Sequence, residues 1–357
     1  MSDFYITSNS ALKKIVDLAY AEKMVAIDTE FTREKTYYPI LSLIQIAIGK
    51  KTFVIDCLSD LDLKPMYGIM ADAEIKKILH SSAQDLQIFY QQSRALPANV
   101  VDVQLMANFC GFGFNIGYSN LVERLFEVKV DKKLQCSDWQ QRPLDLEQLE
   151  YAALDVAYLE GIYLKLHEDL QQKKRDKWFL EEIESFTHKV LVKDDNNLFK
   201  NFSMQKKFGR KTPNQTAKVR NLILWREKMA QTINVPRRHF LDDQALEEIV
   251  MLDNFHHKIS DQMRDEIMQI MTQCDSGNHA LAIEQRKHIM NEAQKEKYGR
   301  AKELIEKVAL REDLREQFLI TSSDLKEVIL GNKKIDELIY GWRYHLFGWD
   351  LQKLINS

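Results

Sequence analysis

The sequence predicts an α/β domain with a mixed sheet, followed by an all-α half made of two helical bundles. Three observations carry that reading. Leu41–Ile48 and Thr52–Ile55 are strand-like runs separated only by Gly49-Lys50-Lys51, the signature of an antiparallel meander. Helix-like and strand-like runs then alternate, as in an α/β domain. After about Asp194 the pattern becomes helical, and all six prolines lie at or before Pro236.

The elements follow in order. Ser8 can cap a helix running to about Ala21, and Val25–Phe31 reads as a buried strand. After the meander come helices near Leu63–Ala71 and Ala83–Gln92, the second preceded by a strand ending at His80. Asp102–Cys110 and Asn120–Phe126 read as short helices, and a loop with Arg142-Pro143 leads into one long helix from about Leu146 to Gln171. Breaks at Asp275-Ser276-Gly277-Asn278 and Gly331-Asn332 divide the second half. The expected domains are 1–195, 211–285 and 286–357.

At 357 residues the chain can hold two or three cores, and 45% hydrophobic with 29% charged residues is ordinary for a soluble globular protein. No run is long and apolar enough for a membrane span, and Met1-Ser2-Asp3-Phe4 does not read as a signal peptide. Four scattered cysteines, without a C-x-x-C pair, indicate neither zinc nor disulfides and suit a reducing cytoplasm. Charge is uneven. Lys200 to Phe240 holds eleven basic residues against the single acid Glu227, a balance of +10 that leaves −13 elsewhere out of a net −3. That asymmetry reads either as a polyanion-binding stripe beside an acidic body or as a solvated helix face.

Asp28 and Glu30 stand two apart in the apolar run Val25–Phe31 and so share one face of a strand. Two desolvated carboxylates repel, and hard divalent cations with oxygen preference would relieve them. The alternative is a solvent-facing or salt-bridged pair. Asp85 falls in the first turn of a helix, where it can serve a site or merely complement the helix dipole. Tyr151 and Asp155 share a helix face at i, i+4, as a working pair or as a packed phenol beside a surface acid.

Together Asp28, Glu30, Asp85, Tyr151 and Asp155 resemble the residue set of the DEDD exonuclease superfamily, tyrosine subclass. Asp28-Thr29-Glu30-Phe31, Thr36-Tyr37-Tyr38-Pro39, Leu43-Ile44-Gln45, His80-Ser81-Ser82, Asp102-Val103-Gln104, Asp138-Trp139-Gln140-Gln141-Arg142-Pro143-Leu144 and Tyr151-Ala152-Ala153-Leu154-Asp155 are similar to the ribonuclease D family, in its order. Gln215-Thr216-Ala217 with Leu224-Trp225-Arg226 resembles the start of an HRDC module. Ile320–Leu325 with Ile339–Arg343 resembles the end of a second one. The first departs from the pattern around Leu252–Met271, where a customary proline is missing.

The resemblance implies a ribonuclease H-like exonuclease fold and 3′→5′ hydrolysis of RNA by a two-metal mechanism with Mg²⁺ or Mn²⁺, releasing nucleoside 5′-monophosphates. Asp28 would bridge the ions, Glu30 and Asp155 complete one shell, and Asp85 hold the other ion through water. Tyr151 would orient the attacking water. Phe31, Tyr37 and Tyr38 are candidates to stack on terminal bases, or core residues instead. His80 would donate to sugar or phosphate, and Gln135, Trp139 and Arg142 lie where the family places substrate contacts, Arg142 suited to a phosphate and Trp139 otherwise an anchor for the loop. Lys206, Lys207, Arg210 and Lys211 would follow the RNA backbone with the rest of the basic stripe. Trp342 and Arg343 read as a helix-packing pair. The expected partner is RNA with a free 3′ end, such as a tRNA precursor, with no membrane and no obligate protein partner. A DNA exonuclease and an idle RNA-binding scaffold are the competing readings.

Overall fold

The computed structural model describes residues 4–131, 133–191, 198, 202, 212–255, 259–275 and 290–356. They fall into two compact units: Met1–Phe31, Leu41–Leu191 and His288–Ser357 in the first, Thr32–Ile40 and Val192–Lys287 in the second.

The first unit is built on a six-stranded sheet ordered β1-β4-β3-β2-β5-β6. The strands are β1 (Tyr5–Ile6), β2 (Met24–Thr32), β3 (Ile40–Ile48), β4 (Lys51–Asp56), β5 (Lys76–Leu79) and β6 (Val100–Asp102). β3 and β4 form the expected antiparallel meander, Ile44 opposite Ile55, while β2, β5 and β6 run parallel. The sheet is therefore mixed, as expected. Helix α1 (Asn9–Glu22) starts at Ser8, whose hydroxyl accepts from the Ala11 amide. α2 (Lys64–Ala71), α3 (Ala83–Ser93), α4 (Val103–Phe109) and α5 (Tyr118–Phe126) follow within two residues of their expected starts.

β2 is covered on both faces. Val25 and Ile27 join the core around Ile15, Ile69 and Phe89, whereas Ala26 joins the core around Met106, Val156 and Ile162. The period of two then puts Asp28 and Glu30 on the Ala26 side, toward the helices that follow β6.

The long helix expected from Leu146 is in fact two. α6 (Leu146–Ala157) and α7 (Leu159–Gln172) meet at Tyr158, whose φ of −103° and ψ of −6° leave the helical track. No proline or glycine sits at the break. The Tyr118 hydroxyl stands between the Leu154 carbonyl and the Tyr158 amide, in place of the helix bond joining them. A further helix, α8 (Asp176–Leu191), completes this part.

The helical segment 290–356 does not form a core of its own, so the segment expected as a separate domain 286–357 belongs to the first unit. Ala301, Ile305, Phe347 and Leu351 belong to the same hydrophobic cluster as Phe109, Ile162 and Phe179. The Phe109 ring meets Phe318 at 4.7 Å and Trp342 at 5.2 Å, both edge-on. Trp342 stacks on Trp178, and Arg343 pairs with Glu182. These two are packing residues, as read from the sequence. Gly341 has φ +55°, a left-handed conformation that favours glycine, and a Cβ there would force the Glu181 carboxylate to shift.

The second unit is a helical bundle. Its longest described helix, Pro213–Thr232, opens with a capping box of Thr212 and Gln215. Val219, Leu222 and Trp225 pack with Leu246, Ile249 and Ile267 from the helices Asp243–Leu252 and Asp261–Asp275. Segment Thr32–Ile40 is part of this unit. Its Tyr37 is buried and donates to Glu227, so it is a core residue rather than a base-stacking one. Tyr38 is half-buried, meets Tyr37 edge-on at 4.9 Å, and gives its amide to Asn234.

Part of the basic stripe is paired with acids of its own unit, while Lys228 and Arg238 are exposed. Arg226 is buried, bonds to the Leu241 carbonyl and pairs with Asp243; Lys218 pairs with Asp275, and Arg237 with Glu227. Lys206, Lys207, Arg210 and Lys211 lie outside the described residues.

Candidate active site

β2 carries Asp28 and Glu30 into the first unit's interior, α3 brings Asp85, and α6 brings Tyr151 and Asp155. The four carboxylates act on one another. Burial, then the charges of Asp85, Asp155 and Glu30, hold Asp28 well above the usual carboxylate range. Burial followed by Asp155 and Asp85 pushes Glu30 up to about 8. Burial pushes Asp155 to about 7. Asp85 also rises to about 7 through burial, against the lowering effect of the Thr29 hydroxyl that donates to it. Asp28 feels all three partners and is the hub.

An all-oxygen, anionic set of this kind fits hard divalent cations. No three described His, Cys, Asp or Glu side chains form a ready-made metal cage.

The Tyr151 phenol is held above its usual range, by burial first and then by Asp155, Glu30 and Asp28, so it keeps its proton through neutral pH. Its ring stacks on Trp139 at 6.1 Å. Trp139 is 2% exposed and packs with Leu43, Val54 and Leu144, so it braces Tyr151 and does not face solvent as a substrate contact. Gln135 is exposed in the preceding turn and is free to meet a ligand.

Arg142 departs furthest from expectation. Its Nε and one Nη2 proton go to the two Asp56 oxygens, its Nη1 protons to the Trp139 and Gln141 carbonyls, and Nη2 also to Ser42. A guanidinium has five N–H donors, and all are in use, leaving none for a phosphate. Although burial pushes Asp56 up, hydrogen bonds from Arg142 and Tyr5 outweigh it and hold this carboxyl below its usual range. Arg142 therefore fastens the loop to β4. Arg142→Ala is expected to cost about 2–3 kcal/mol of stability in urea unfolding, since it strands a buried carboxylate. RNA affinity of the folded variant should stay within about twofold of wild type.

His80 is half-buried, edge-on to Tyr118 at 5.9 Å, with Gln104 3.5 Å from Nε2. Its Nδ1 is buried without a partner among the described residues, and burial lowers its pKa. It is thus a neutral, packed ring rather than an open donor. Phe31 is half-buried against the α1 and α3 side of the sheet.

Sequence reasoning missed two residues here. Asp102 accepts from the amides of Ser81, Ser82, Gln104 and Leu105 and from the Ser82 hydroxyl. It thereby caps α4 and holds Ser81 at φ +59°, fixing the turn that launches α3 and Asp85. Tyr118 is the second. Asp102 stood inside a recognised motif, but Tyr118 has no local pattern to mark it.

Comparison with known proteins identifies the family. A family model described as 3′-5′ exonuclease matches residues 4–171. A ribonuclease D of Bartonella henselae is 31% identical over 99% of this chain and 90% of its own length. One from Zymomonas mobilis is 30% identical over 99% of this chain and 94% of its own length. Among solved structures, Escherichia coli RNase D, an exoribonuclease involved in structured RNA processing, matches with a TM-score of 0.80. It is 25% identical, and the match covers 100% of this chain and 99% of that one. The chain belongs to the ribonuclease D family.

Proposed function

We propose that this chain is a 3′→5′ exoribonuclease that trims structured RNA such as tRNA precursors in the cytoplasm, using two divalent ions, Mg²⁺ or Mn²⁺. The observation that carries the reading is the mutual repulsion of four carboxylates centred on Asp28, Asp85 buried and the other three half-buried. Asp28, Glu30, Asp85 and Asp155 would hold the ions, with Asp28 as the shared ligand. When bound, the ions supply an activated water and charge stabilisation at the leaving oxygen.

The chain's own groups do the rest. Tyr151, protonated and braced by Trp139, hydrogen-bonds the attacking water and fixes its line of approach. The water oxygen bonds to phosphorus, the P–O3′ bond breaks, and the 3′-oxygen takes up a proton. The released nucleotide therefore keeps a 5′-phosphate. Orienting, rather than full base catalysis, is the role a high phenol pKa supports. Tyr151→Phe should lower kcat by about 10²–10⁴-fold. Its Mn²⁺ affinity, by isothermal titration, should stay unchanged, since a phenol that binds water is no ligand.

The decisive assay uses a 5′-labelled hairpin RNA with a single-stranded 3′ tail, a matched DNA, both metals, EDTA and Asp155→Ala. Stepwise shortening of RNA alone, lost in EDTA and in the variant, is expected. Equal trimming of DNA would favour a DNA exonuclease, because a site blind to the 2′-hydroxyl does not select RNA. Binding without cleavage under either metal would leave an RNA-holding scaffold.

A further inference from the structure

We propose that Tyr118 is a positioning residue whose hydroxyl wedges into the backbone ladder of α6 and sets the direction in which Asp155 is presented. This rests on the reading of Asp155 as a metal ligand. An uninterrupted helix would send the Tyr158 amide to the Leu154 carbonyl. Here the Tyr118 Oη donates to that carbonyl at 2.7 Å and accepts from that amide at 3.3 Å. A side chain inserted into the i→i−4 ladder is a recognised cause of a helix kink. The chain leaves helical geometry at Tyr158. Leu154, the residue whose carbonyl is captured, immediately precedes Asp155 in the sequence.

Other causes of the break are accounted for. The nearest breaker, Gly161, lies inside α7, where a Cβ would come within 3.0 Å of the Phe126 ring, so packing explains it. The wedge is itself held firmly. Tyr118 opens α5, and its ring lies edge-on to His80. His80 in turn follows β5 and leads into the turn that Asp102 fastens. One phenol thus ties the segment before Asp85 to the helix that carries Asp155 and Tyr151. Burial pushes this phenol's pKa upward, opposed by the hydrogen bond from the Tyr158 amide and helped by the charges of Asp155 and Asp28, so it remains a hydrogen-bond donor.

Tyr118→Phe removes one oxygen and lets the Tyr158 amide rejoin the Leu154 carbonyl. Amide hydrogen exchange at Tyr158 in the metal-free protein should then slow by about tenfold or more. The Mn²⁺ dissociation constant of the RNA-free protein, from titration calorimetry, should weaken by about tenfold. With RNA, kcat should fall by about 10- to 100-fold at nearly constant KM. The melting temperature should not drop, because a backbone bond replaces the lost ones. Unchanged exchange at Tyr158, with Mn²⁺ affinity and kcat within about twofold of wild type, would overturn the proposal. So would a loss of folding without any change in Mn²⁺ binding by the remaining folded fraction. Were the wild-type chain inactive on every RNA, the exoribonuclease reading would fail, while exchange at Tyr158 would still decide whether the wedge exists.

Discussion

Asp28→Asn is expected to abolish RNA trimming while making the metal-free protein more stable. Removing a partner that only orients a metal ligand typically costs 10–100-fold, so losing a carboxylate proposed to hold the ions directly should cost at least about 10³-fold. The gain in stability has a separate origin. Asp28 is half-buried and feels the charges of Asp85, Asp155 and Glu30, so its charge has three like neighbours and no described cation beside it. Asparagine keeps the shape and drops the charge. The difference is largest where the set is most ionised, above the value of about 8 to which Glu30 is pushed. Scanning calorimetry in EDTA at pH 8.5 should show the variant melting above wild type, on the scale of about 1–1.5 °C per kcal/mol for a chain of this size. With excess Mg²⁺ the order should invert, since only the wild type gains binding energy. A variant that melts lower in EDTA would mean that Asp28 is a structural partner, and the two-metal reading would lose its main support.

The contrast between Asp28 and Arg142 shows what kind of information a sequence holds. Asp28 and Glu30 were visible because strand periodicity forces residues two apart onto one face, and Tyr151 and Asp155 because helix periodicity does the same at four. Both rules act over a few bonds. The meander and the Ser8 cap were legible for the same reason. A loop arginine near a nuclease motif suits a phosphate contact, and that is the role the sequence suggests for Arg142. Its actual partner, Asp56, is distant in sequence, and no local rule pairs them. The same limit hid the break at Tyr158, made by a hydroxyl from Tyr118, and the burial of Tyr37 against Glu227. It also hid the extent to which the basic stripe is neutralised from within, Lys218 by Asp275 and Arg226 by Asp243. Charge counting along the chain cannot see such pairing. Nor could periodicity tell that 290–356 would share a core with Phe109 and Ile162, because an amphipathic helix declares an apolar face but not what covers it.

The largest effect of solution conditions should come from the same carboxylates. Without metal, stability is expected to fall as pH rises from about 4 to about 8. In the unfolded chain Asp and Glu ionise near pH 4. In the folded chain Asp85 and Asp155 hold their protons to about 7 and Glu30 to about 8. Between those limits the native state binds more protons than the unfolded state, so the slope of unfolding free energy with pH is negative. Two groups act with the opposite sign. Burial lowers His80, which favours folding as pH rises below its usual 6.5, and lowers Lys77 to about 8, which does so only above pH 8. Comparing the wild type with Asp155→Asn removes that common background: the wild-type curve in EDTA should be the steeper of the two between pH 5.5 and 8. Divalent ions compete with those protons for the same oxygens, so their stabilisation grows over the same interval. At saturating Mg²⁺ the wild-type curve should therefore flatten, opening a gap of at least about 5 °C from the EDTA curve by pH 8. Parallel curves with and without metal would mean that the carboxylates titrate independently of any ion. Repulsion among them would then serve no catalytic purpose, and a sheet interior that could have been filled with apolar side chains would have no reason to carry four acids.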